Sequence, residues 1–144
     1  METVELQVQL LRPSARMPER ASAAATGFDL YACVEGSLRL GPQPRMVPTG
    51  IAIEAPAGYD VQVRPRSGLS AKGVGVALGT VDADYRGELL VTMWTFGQLA
   101  AHEVRDGDRI AQLVVAALAP VSLRMVPQLT PTARGGGGHG STGR

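Results

Sequence analysis

The sequence predicts an all-β, turn-rich domain, and three observations support this class. Glycine and proline are abundant, with 18 and 10 copies among 144 residues, above the roughly 12% of average usage. Several short segments alternate apolar with polar residues, which is the pattern of half-buried strands. Helix signals are rare, and a helix bundle would tolerate these glycines and prolines poorly because each costs about 1 to 3 kcal/mol in a helix interior. A barrel, sandwich or jelly roll is therefore expected.

Strand signals recur along the chain. Alternation is clearest near the N-terminus, where every second residue of the segment 4–10 is apolar. Three prolines in residues 41–48 exclude a central strand there, because proline cannot donate a hydrogen bond to a neighbouring strand. The segments with strand character are residues 4–10, 28–30, 51–53, 59–63, 74–81, 88–96 and 110–119.

One segment carries a convincing helix signal, residues 67–72 with the sequence SGLSAK. Ser67 is a plausible N-cap, because its hydroxyl can accept a hydrogen bond from a backbone N–H of the first turn. Gly73 is expected to end the helix, since glycine adopts left-handed backbone without strain. A single short helical turn is therefore expected within the β domain.

Charge and composition exclude several classes of protein. The 14 basic and 13 acidic residues leave a net charge of +1, too little for the basic footprint of a nucleic-acid-binding protein. No apolar stretch approaches the ~20 residues of a membrane helix, and we find no signal-peptide pattern. A single cysteine, Cys33, excludes an internal disulfide and a cysteine-based zinc site. A cytoplasmic protein that binds neither nucleic acid nor membrane is expected.

The C-terminus differs from the rest of the chain. Residues 135–144, GGGGHGSTGR, include six glycines and no aliphatic side chain, so this segment cannot join a core and is expected to be a flexible arm. It nevertheless combines three features of phosphate recognition: accessible backbone N–H groups, the hydroxyls of Ser141 and Thr142, and Arg134 at its base.

Five stretches place polar or charged residues next to glycine and between apolar runs. They are residues 25–30, 65–69, 79–87, 107–113 and 134–143. In the second, Arg66 and Ser67 at a helix start would suit an anion, although taken alone an ordinary ion pair and a cap explain them more simply. In the third, Asp82 and Asp84 would point the same way in an extended segment. They suit a general base or a metal-bound water, or are solvated charges of a hairpin.

The remaining stretches are also open to two interpretations. Asp106, Gly107 and Asp108 form an ordinary turn into a strand, or part of a site. Asp29 is a buried cap or a group that holds a metal through water, since buried carboxylates are rare without a partner. His139 is a solvated tail residue, or a ring that stacks on a planar ligand when the arm closes.

Taken in order, the five stretches read ATGFDLYA, PRSGLSAK, GTVDADYRGEL, GDRIAQL and RGGGGHGSTG. In this order and spacing they resemble the five motifs of the trimeric dUTPases, the deoxyuridine 5′-triphosphate nucleotidohydrolases. The resemblance runs from about residue 4 to the C-terminus. The third and fifth motifs are specific to that family, whereas the second and fourth are shared in part with dCTP deaminases. A dCTP deaminase, or a bifunctional dCTP deaminase and dUTPase, is therefore the alternative.

The resemblance implies a distorted β-barrel or jelly roll that forms a homotrimer with active sites at subunit interfaces. Residues 1–133 would form the β domain, and residues 134–144 would form an arm that closes over the site. The implied reaction is Mg²⁺-dependent hydrolysis of dUTP to dUMP and pyrophosphate, by attack of water on the α-phosphorus. It would keep uracil out of DNA and supply dUMP for dTMP synthesis.

The resemblance also implies residue roles. Asp82 would orient and deprotonate the water, and Asp29 would hold Mg²⁺ through its water shell while the phosphates hold the ion directly. The implied phosphate contacts of the second and fourth motifs are Arg66, Ser67, Gly68 and Gln112. The implied contacts of the arm are Arg134, His139, Gly140, Ser141 and Thr142. The implied contacts to uracil and deoxyribose are backbone groups of Leu78 and Gly79 and the ring of Tyr85, which would leave no room for a 2′-hydroxyl.

Two positions depart from the family pattern. His139 stands where many members have phenylalanine, and a neutral imidazole stacks on uracil more weakly. Val76 stands where some members use asparagine to bind uracil, so recognition by backbone groups alone is expected. Neither departure removes a residue of the implied catalytic set.

Overall fold

The computed structural model describes residues 2–140 and contains eleven strands and one short helix in that range. The strands are β1 (Gln7–Leu10), β2 (Phe28–Tyr31), β3 (Ser37–Leu40), β4 (Arg45–Pro48), β5 (Ile51–Glu54), β6 (Tyr59–Arg64), β7 (Val74–Val76), β8 (Gly79–Val81), β9 (Leu90–Thr95), β10 (His102–Arg105) and β11 (Arg109–Ala117). The helix is α1 (Ser67–Lys72), between β6 and β7. The prediction of a mainly β domain with one helical turn is confirmed.

The strands form four small antiparallel sheets. The largest has the order β2-β11-β6-β8, a second has the order β4-β9-β7, and β1 pairs with β5 and β3 with β10. The arrangement is jelly-roll-like, and the described strands do not close into a barrel. One apolar core lies between the sheets, and its largest fully buried side chains include Leu30, Leu40, Ile51, Met93, Ile110 and Leu113.

The longest strand, β11, positions most of the site. It lies between β2 and β6, with Gln112 opposite Asp29 on one side and Arg64 on the other. Most of its apolar residues face the core, as aliphatic β-sheet residues do. Cys33 is buried and free, as a small apolar residue would be.

Several strands differ from the sequence-based expectation. The run 74–81 is two strands in different sheets, since β7 pairs with β9 and β8 pairs with β6. The proline-rich segment 41–48 ends in β4, an edge strand, which agrees with the exclusion of a central strand. Sequence reasoning missed the pair β3 and β10, because two four-residue strands carry too little alternation to be recognised.

The helix begins one residue away from the predicted cap. Arg66 is the N-cap residue, with extended backbone and no side-chain cap hydrogen bond, and Ser67 is the first helical residue. The Ser67 prediction was wrong because the extended backbone that follows β6 continues through Arg66, which places the hydroxyl inside the first turn. Gly73 ends the helix at φ 94°, and its N–H donates to Ser70 O at 3.1 Å, as expected for a left-handed cap.

The described residues that follow β11 form neither helix nor strand. They include the exposed side chains Leu123 and Met125, which retain 97% and 98% of their accessible surface. Such apolar side chains gain nothing from their own chain's core. In the same described range, no helix is long and apolar enough to cross a membrane.

Candidate functional site

A buried carboxylate on β2 organises the first part of the site. Asp29 is buried, and its backbone N–H donates to Glu19 O at 2.7 Å. Its two carboxylate oxygens face different guanidinium groups: Arg66 Nε lies 3.3 Å from Oδ1, and Arg109 Nη1 lies 3.8 Å from Oδ2. Two positive charges against one negative charge leave this cluster with an excess positive charge.

A β-bulge brings Arg109 to this cluster. The register between β11 and β2 shifts between Arg109 and Ala111, so Ile110 is the extra residue. Ile110 is buried, while Arg109 lies opposite Tyr31 on the side of the sheet that carries Asp29. Bulges commonly redirect one side chain beside a functional site.

Arg109 was not among the site residues predicted from sequence. Its only signal in the sequence was its position after the Asp-Gly-Asp turn, because a bulge depends on pairing with another strand and leaves no local pattern.

The segment between β6 and α1 brings Arg66 next to the same carboxylate. Arg66 Nη1 also donates to the backbone oxygen of Arg109 at 3.3 Å, so its guanidinium bridges β2 and β11. Ser67 and Gly68 follow at the exposed first turn of α1, where backbone N–H groups of a helix have no intrahelical partner. The structure therefore places three of the predicted phosphate-binding residues side by side.

Gln112 ties this segment to β11. Its Nε2 donates to the backbone oxygen of Pro65 at 2.9 Å, immediately before Arg66. Gly27 lies against the same side chain: a Cβ added there would collide with Gln112 Oε1 and stand 3.1 Å from its Cδ. Only glycine permits this close approach, so the glycine of the first motif shapes the position of the amide in the fourth.

Most of the third motif forms a loop, residues 82–89, between β8 and β9, which belong to different sheets and do not pair. We call it the Asp82 loop. Asp82 and Asp84 are both exposed, and residues 83–84 form a turn, so the expected alternation of an extended segment does not apply here. The backbone N–H of Tyr85 donates to Asp82 O at 3.1 Å, which closes the turn. Arg86 Nη1 donates to Ala83 O at 2.7 Å and Nη2 donates to Glu54 Oε1 at 2.7 Å, so Arg86 braces the Asp82 loop.

Tyr85 lies on the Asp82 loop, and its side chain is exposed to solvent. Its hydroxyl donates to Glu88 O at 2.8 Å. A Cβ added to Gly87 would stand 2.6 Å from Tyr85 Cζ, so glycine at 87 is what lets the ring lie flat against the backbone. Leu78, just before β8, is exposed, and Gly79 pairs with Val63 on β6.

One chain does not bring Asp82 to the Asp29 cluster. Asp29, Gln112 and Arg64 lie opposite one another on successive strands, and the pairing of Val63 with Gly79 puts Leu78 level with them. Asp82 lies four residues further along, which is about 13 Å of extended chain. Within residues 2–140, no hydrogen bond or ion pair joins the Asp82 loop to Asp29, Arg66 or Gln112.

The described part of the arm contacts mainly itself. Arg134 Nε donates to Gly137 O at 2.6 Å, and Gly135 N donates to Thr132 Oγ1 at 3.1 Å. His139 is exposed at φ 50° and Gly140 follows at φ 86°. Ser141 and Thr142, two predicted phosphate contacts, lie outside the described residues.

The residues around Asp29 fit a magnesium ion held mainly by its ligand. No group of three or more histidine, cysteine, aspartate or glutamate side chains occurs in the described part of the chain, which leaves no all-protein metal cage there. The two arginine contacts to Asp29, at 3.3 and 3.8 Å, are longer than the ~2.8 Å of a direct charge-assisted hydrogen bond. The carboxylate therefore keeps lone pairs for water, and Mg²⁺ characteristically binds through retained waters, few carboxylates and phosphates.

The fold and the site define a β-sheet protein in which two guanidinium groups lie beside a buried carboxylate. The family model described as dUTPase matches residues 13–143, and the chain belongs to this family. Sequence relatives agree. The chain is 46% identical to the deoxyuridine 5'-triphosphate nucleotidohydrolase of Syntrophotalea carbinolica over 99% of both chains. It is 44% identical to that of Bdellovibrio bacteriovorus over 89% of this chain and 88% of the relative.

Solved structures show the same fold. A mutant dUTPase of Staphylococcus bacteriophage 80alpha with dUpNHpp superposes with a TM-score of 0.85 at 28% identity and covers 99% of this chain and 100% of that chain. A mutant dUTPase from phage phi11 of S. aureus, described as coordinating a structural Mg(II) ion, has a TM-score of 0.76 at 26% identity, over 86% of this chain and 97% of that chain.

Proposed function

We propose that this chain hydrolyses dUTP to dUMP and pyrophosphate by attack of water on the α-phosphorus. The observation that carries the proposal is the 46% identity, over 99% of both chains, to a deoxyuridine 5'-triphosphate nucleotidohydrolase. The positively charged cluster around Asp29 supports it, because a triphosphate needs cationic and N–H groups fixed before it binds.

The active site would combine residues of different copies of the chain. The separation of Asp82 from Asp29 supports this, because a water-activating carboxylate must reach the phosphate that Arg66 binds. In a homotrimer, the Asp82 loop of one copy would face the Asp29 cluster of the next. The arm, residues 134–144, would then close over this shared site, and residues 1–133 would form the β domain.

Exposed apolar surface supports such an assembly. The outer face of the β4-β9-β7 sheet carries Met46 and Leu90, which are 64% and 43% exposed, with Trp94 on the same side of β9. A sheet whose outer face is apolar is normally covered by another surface. Apolar side chains of the segment after β11 are exposed as well.

The proposed mechanism relies on positioning and charge. Arg66, Ser67 and Gly68 bind phosphate oxygens, and Gln112 fixes this segment through Pro65. Asp82 accepts the proton of the attacking water, as an exposed carboxylate can when it is held beside the phosphorus. Asp29 would hold Mg²⁺ through water, and the ion would supply charge neutralisation for the leaving pyrophosphate.

Selectivity for uracil and deoxyribose would come from β8, the residue before it, the Asp82 loop and the arm. Tyr85 packs under the deoxyribose and excludes a 2′-hydroxyl, while backbone groups of Leu78 and Gly79 bind the uracil edge. His139 stacks on the base, and the neighbouring arm residues close on the γ-phosphate. Those residues are Arg134, Gly140, Ser141 and Thr142. A cytoplasmic location is part of this proposal, because the free Cys33 suits a reducing compartment.

A nucleotide assay tests the proposed function. Pyrophosphate release is measured with dUTP and with dCTP, each with and without Mg²⁺, and ammonia is measured in parallel. Release of pyrophosphate from dUTP that depends on Mg²⁺ is expected. Ammonia from dCTP would indicate a deaminase instead, an alternative that the named relatives do not support.

A further inference from the structure

We propose that Glu88 is a positioning residue that holds Tyr85 in place and thereby sets the discrimination between deoxyribonucleotides and ribonucleotides. Glu88 lies near the end of the Asp82 loop, just before β9, and is outside the set of residues implied to contact the nucleotide. The proposal rests on the proposed function, because it assigns Tyr85 to the sugar.

The Glu88 carboxylate is held by three donors from elsewhere in the chain. Arg12 Nη1 donates to Oε1 at 3.0 Å and Arg12 Nη2 to Oε2 at 2.5 Å. The backbone N–H of Gly50 donates to Oε2 at 2.9 Å. The Glu88 side chain is only 21% exposed, and a two-pronged arginine–carboxylate contact fixes orientation as well as distance. The hydrogen bonds from Arg12, followed by that from Gly50, hold the pKa of Glu88 below its ordinary value.

The backbone next to Glu88 is fixed from the same side. Leu89 N donates to Ile51 O at 2.9 Å, and Thr49 Oγ1 donates to Leu89 O at 2.6 Å. Gly50 is at φ 71°, and a Cβ there would stand 2.9 Å from Cys33 Sγ, so the donor itself sits in a position that only glycine fits. The link from β4 to β5 is therefore a rigid support for this end of the Asp82 loop.

Tyr85 depends on the position of Glu88 through its hydroxyl. Tyr85 Oη donates to the backbone oxygen of Glu88 at 2.8 Å, and the ring rests against Gly87. If the Glu88 carboxylate is released, this end of the loop keeps only the backbone contacts of Leu89, and the Tyr85 ring gains freedom to turn away from the sugar. The expected consequence is a wider pocket that admits a 2′-hydroxyl.

A second ion pair on the same loop provides a matched control. Arg86 Nη2 lies 2.7 Å from Glu54 Oε1, but the two side chains are 54% and 50% exposed. Exposed pairs contribute little, because solvent screens the charges and the side chains lose entropy. Glu54→Gln makes the same chemical change as Glu88→Gln and leaves the hydrogen bond from Tyr85 Oη to Glu88 O in place, while Arg86 Nη1 can still donate to Tyr85 O at 3.3 Å.

The experiment measures kcat and KM for dUTP and for UTP in the full-length protein, with melting temperature and oligomer size as checks on folding. For Glu88→Gln we expect the ratio of kcat/KM for dUTP to that for UTP to fall about tenfold, the effect of one lost positioning hydrogen bond. Most of the change should be a lower KM for UTP. Glu54→Gln should leave the ratio unchanged. In a Tyr85→Phe background, Glu88→Gln should change the ratio no further, because the shared hydrogen bond is already absent.

A folded Glu88→Gln protein with the wild-type ratio would overturn the proposal, as would an equal loss of kcat/KM for both nucleotides. If Glu88→Gln fails to fold, Arg12→Lys replaces it, since lysine keeps the charge but not the two-pronged contact. A lower ratio in that variant supports the proposal, and an unchanged ratio overturns it. Failure of the proposed function is a separate result, because wild-type protein would then release no pyrophosphate from dUTP.

Discussion

Arg66 Nε lies 3.3 Å from Asp29 Oδ1, and this contact joins the first and second motifs within a single chain. The contact orients a guanidinium at the exposed start of α1 while its partner stays buried on β2. The buried carboxylate therefore holds the Arg66 guanidinium in a fixed orientation.

Replacing Arg66 with lysine tests this arrangement. Arg66→Lys keeps the positive charge but loses the planar group that reaches both Asp29 and the Arg109 carbonyl. We expect about tenfold weaker binding of a non-hydrolysable dUTP analogue, measured by calorimetry. Arg45→Lys, at an exposed edge strand, is the control. Unchanged affinity in Arg66→Lys would show that the guanidinium geometry is not needed.

The role of Asp82 separates binding from turnover. Asp82→Asn removes the proton acceptor but preserves the exposed turn, whose backbone oxygen accepts from Tyr85 N–H. We expect a fall in kcat of about 10² to 10⁴, with little change in analogue affinity. Single-turnover assays measure the first quantity and calorimetry the second. Full activity in this variant would remove Asp82 from its proposed role.

The arm is expected to serve catalysis rather than folding. A protein ending at residue 133 should keep the melting temperature and oligomeric size of the full chain, because the hydrogen bonds of the described arm residues join them to one another and to Thr132, which follows the last strand. Its kcat/KM for dUTP should fall sharply, since closure over the triphosphate is lost. Differential scanning calorimetry and analytical ultracentrifugation check the first expectation. Unfolding on truncation would instead make the arm structural.

Glycine at position 27 is predicted to be required by packing. Gly27→Ala places a methyl group on Gln112 Oε1, so the amide must leave Pro65 or the strands must separate. We expect a loss of stability of about 1 to 3 kcal/mol and a higher KM for dUTP. Gly41→Ala, where the nearest atom is 4.0 Å away, should be nearly neutral. Denaturant unfolding compares the two, and equal stabilities would contradict the packing argument.

Glu88 is expected to contribute to acid sensitivity. Its pKa is lowered from 4.5, mainly by the hydrogen bonds from Arg12. A carboxyl group with a lowered folded-state pKa binds protons more readily when unfolded, so its contribution is present above pH 4.5 and is lost as the pH falls through the folded-state pKa. Melting temperatures between pH 3 and 7 should therefore decline less steeply for Glu88→Gln than for wild type. Parallel curves would contradict this expectation.

Much of the fold could be predicted because strand signals are local. Alternation identified β1, β5 and β6, and Gly73 correctly marked the end of α1. Sequence reasoning did not find the β3 and β10 pair or the division of 74–81 into two strands, since strand pairing depends on partners far away in the chain.

Several residues of the candidate site could also be named from the sequence motifs. Arg66, Gln112 and Asp29 were all named from motifs, and the structure brings them together. Arg109 and Glu88 were not, because each owes its position to tertiary contacts: a bulge against β2 in one case, and Arg12 with Gly50 in the other.

The sequence by itself determined the class of fold, the family and the order of the motifs, because these depend on residue types and their spacing along the chain. Only the tertiary structure decided which motifs meet. It joined the first, second and fourth motifs through β2, β11 and the start of α1, and it kept the Asp82 loop apart from them. The reason is strand register: a shift of a few residues along a sheet moves a side chain by many ångströms, and register follows from packing rather than from local pattern.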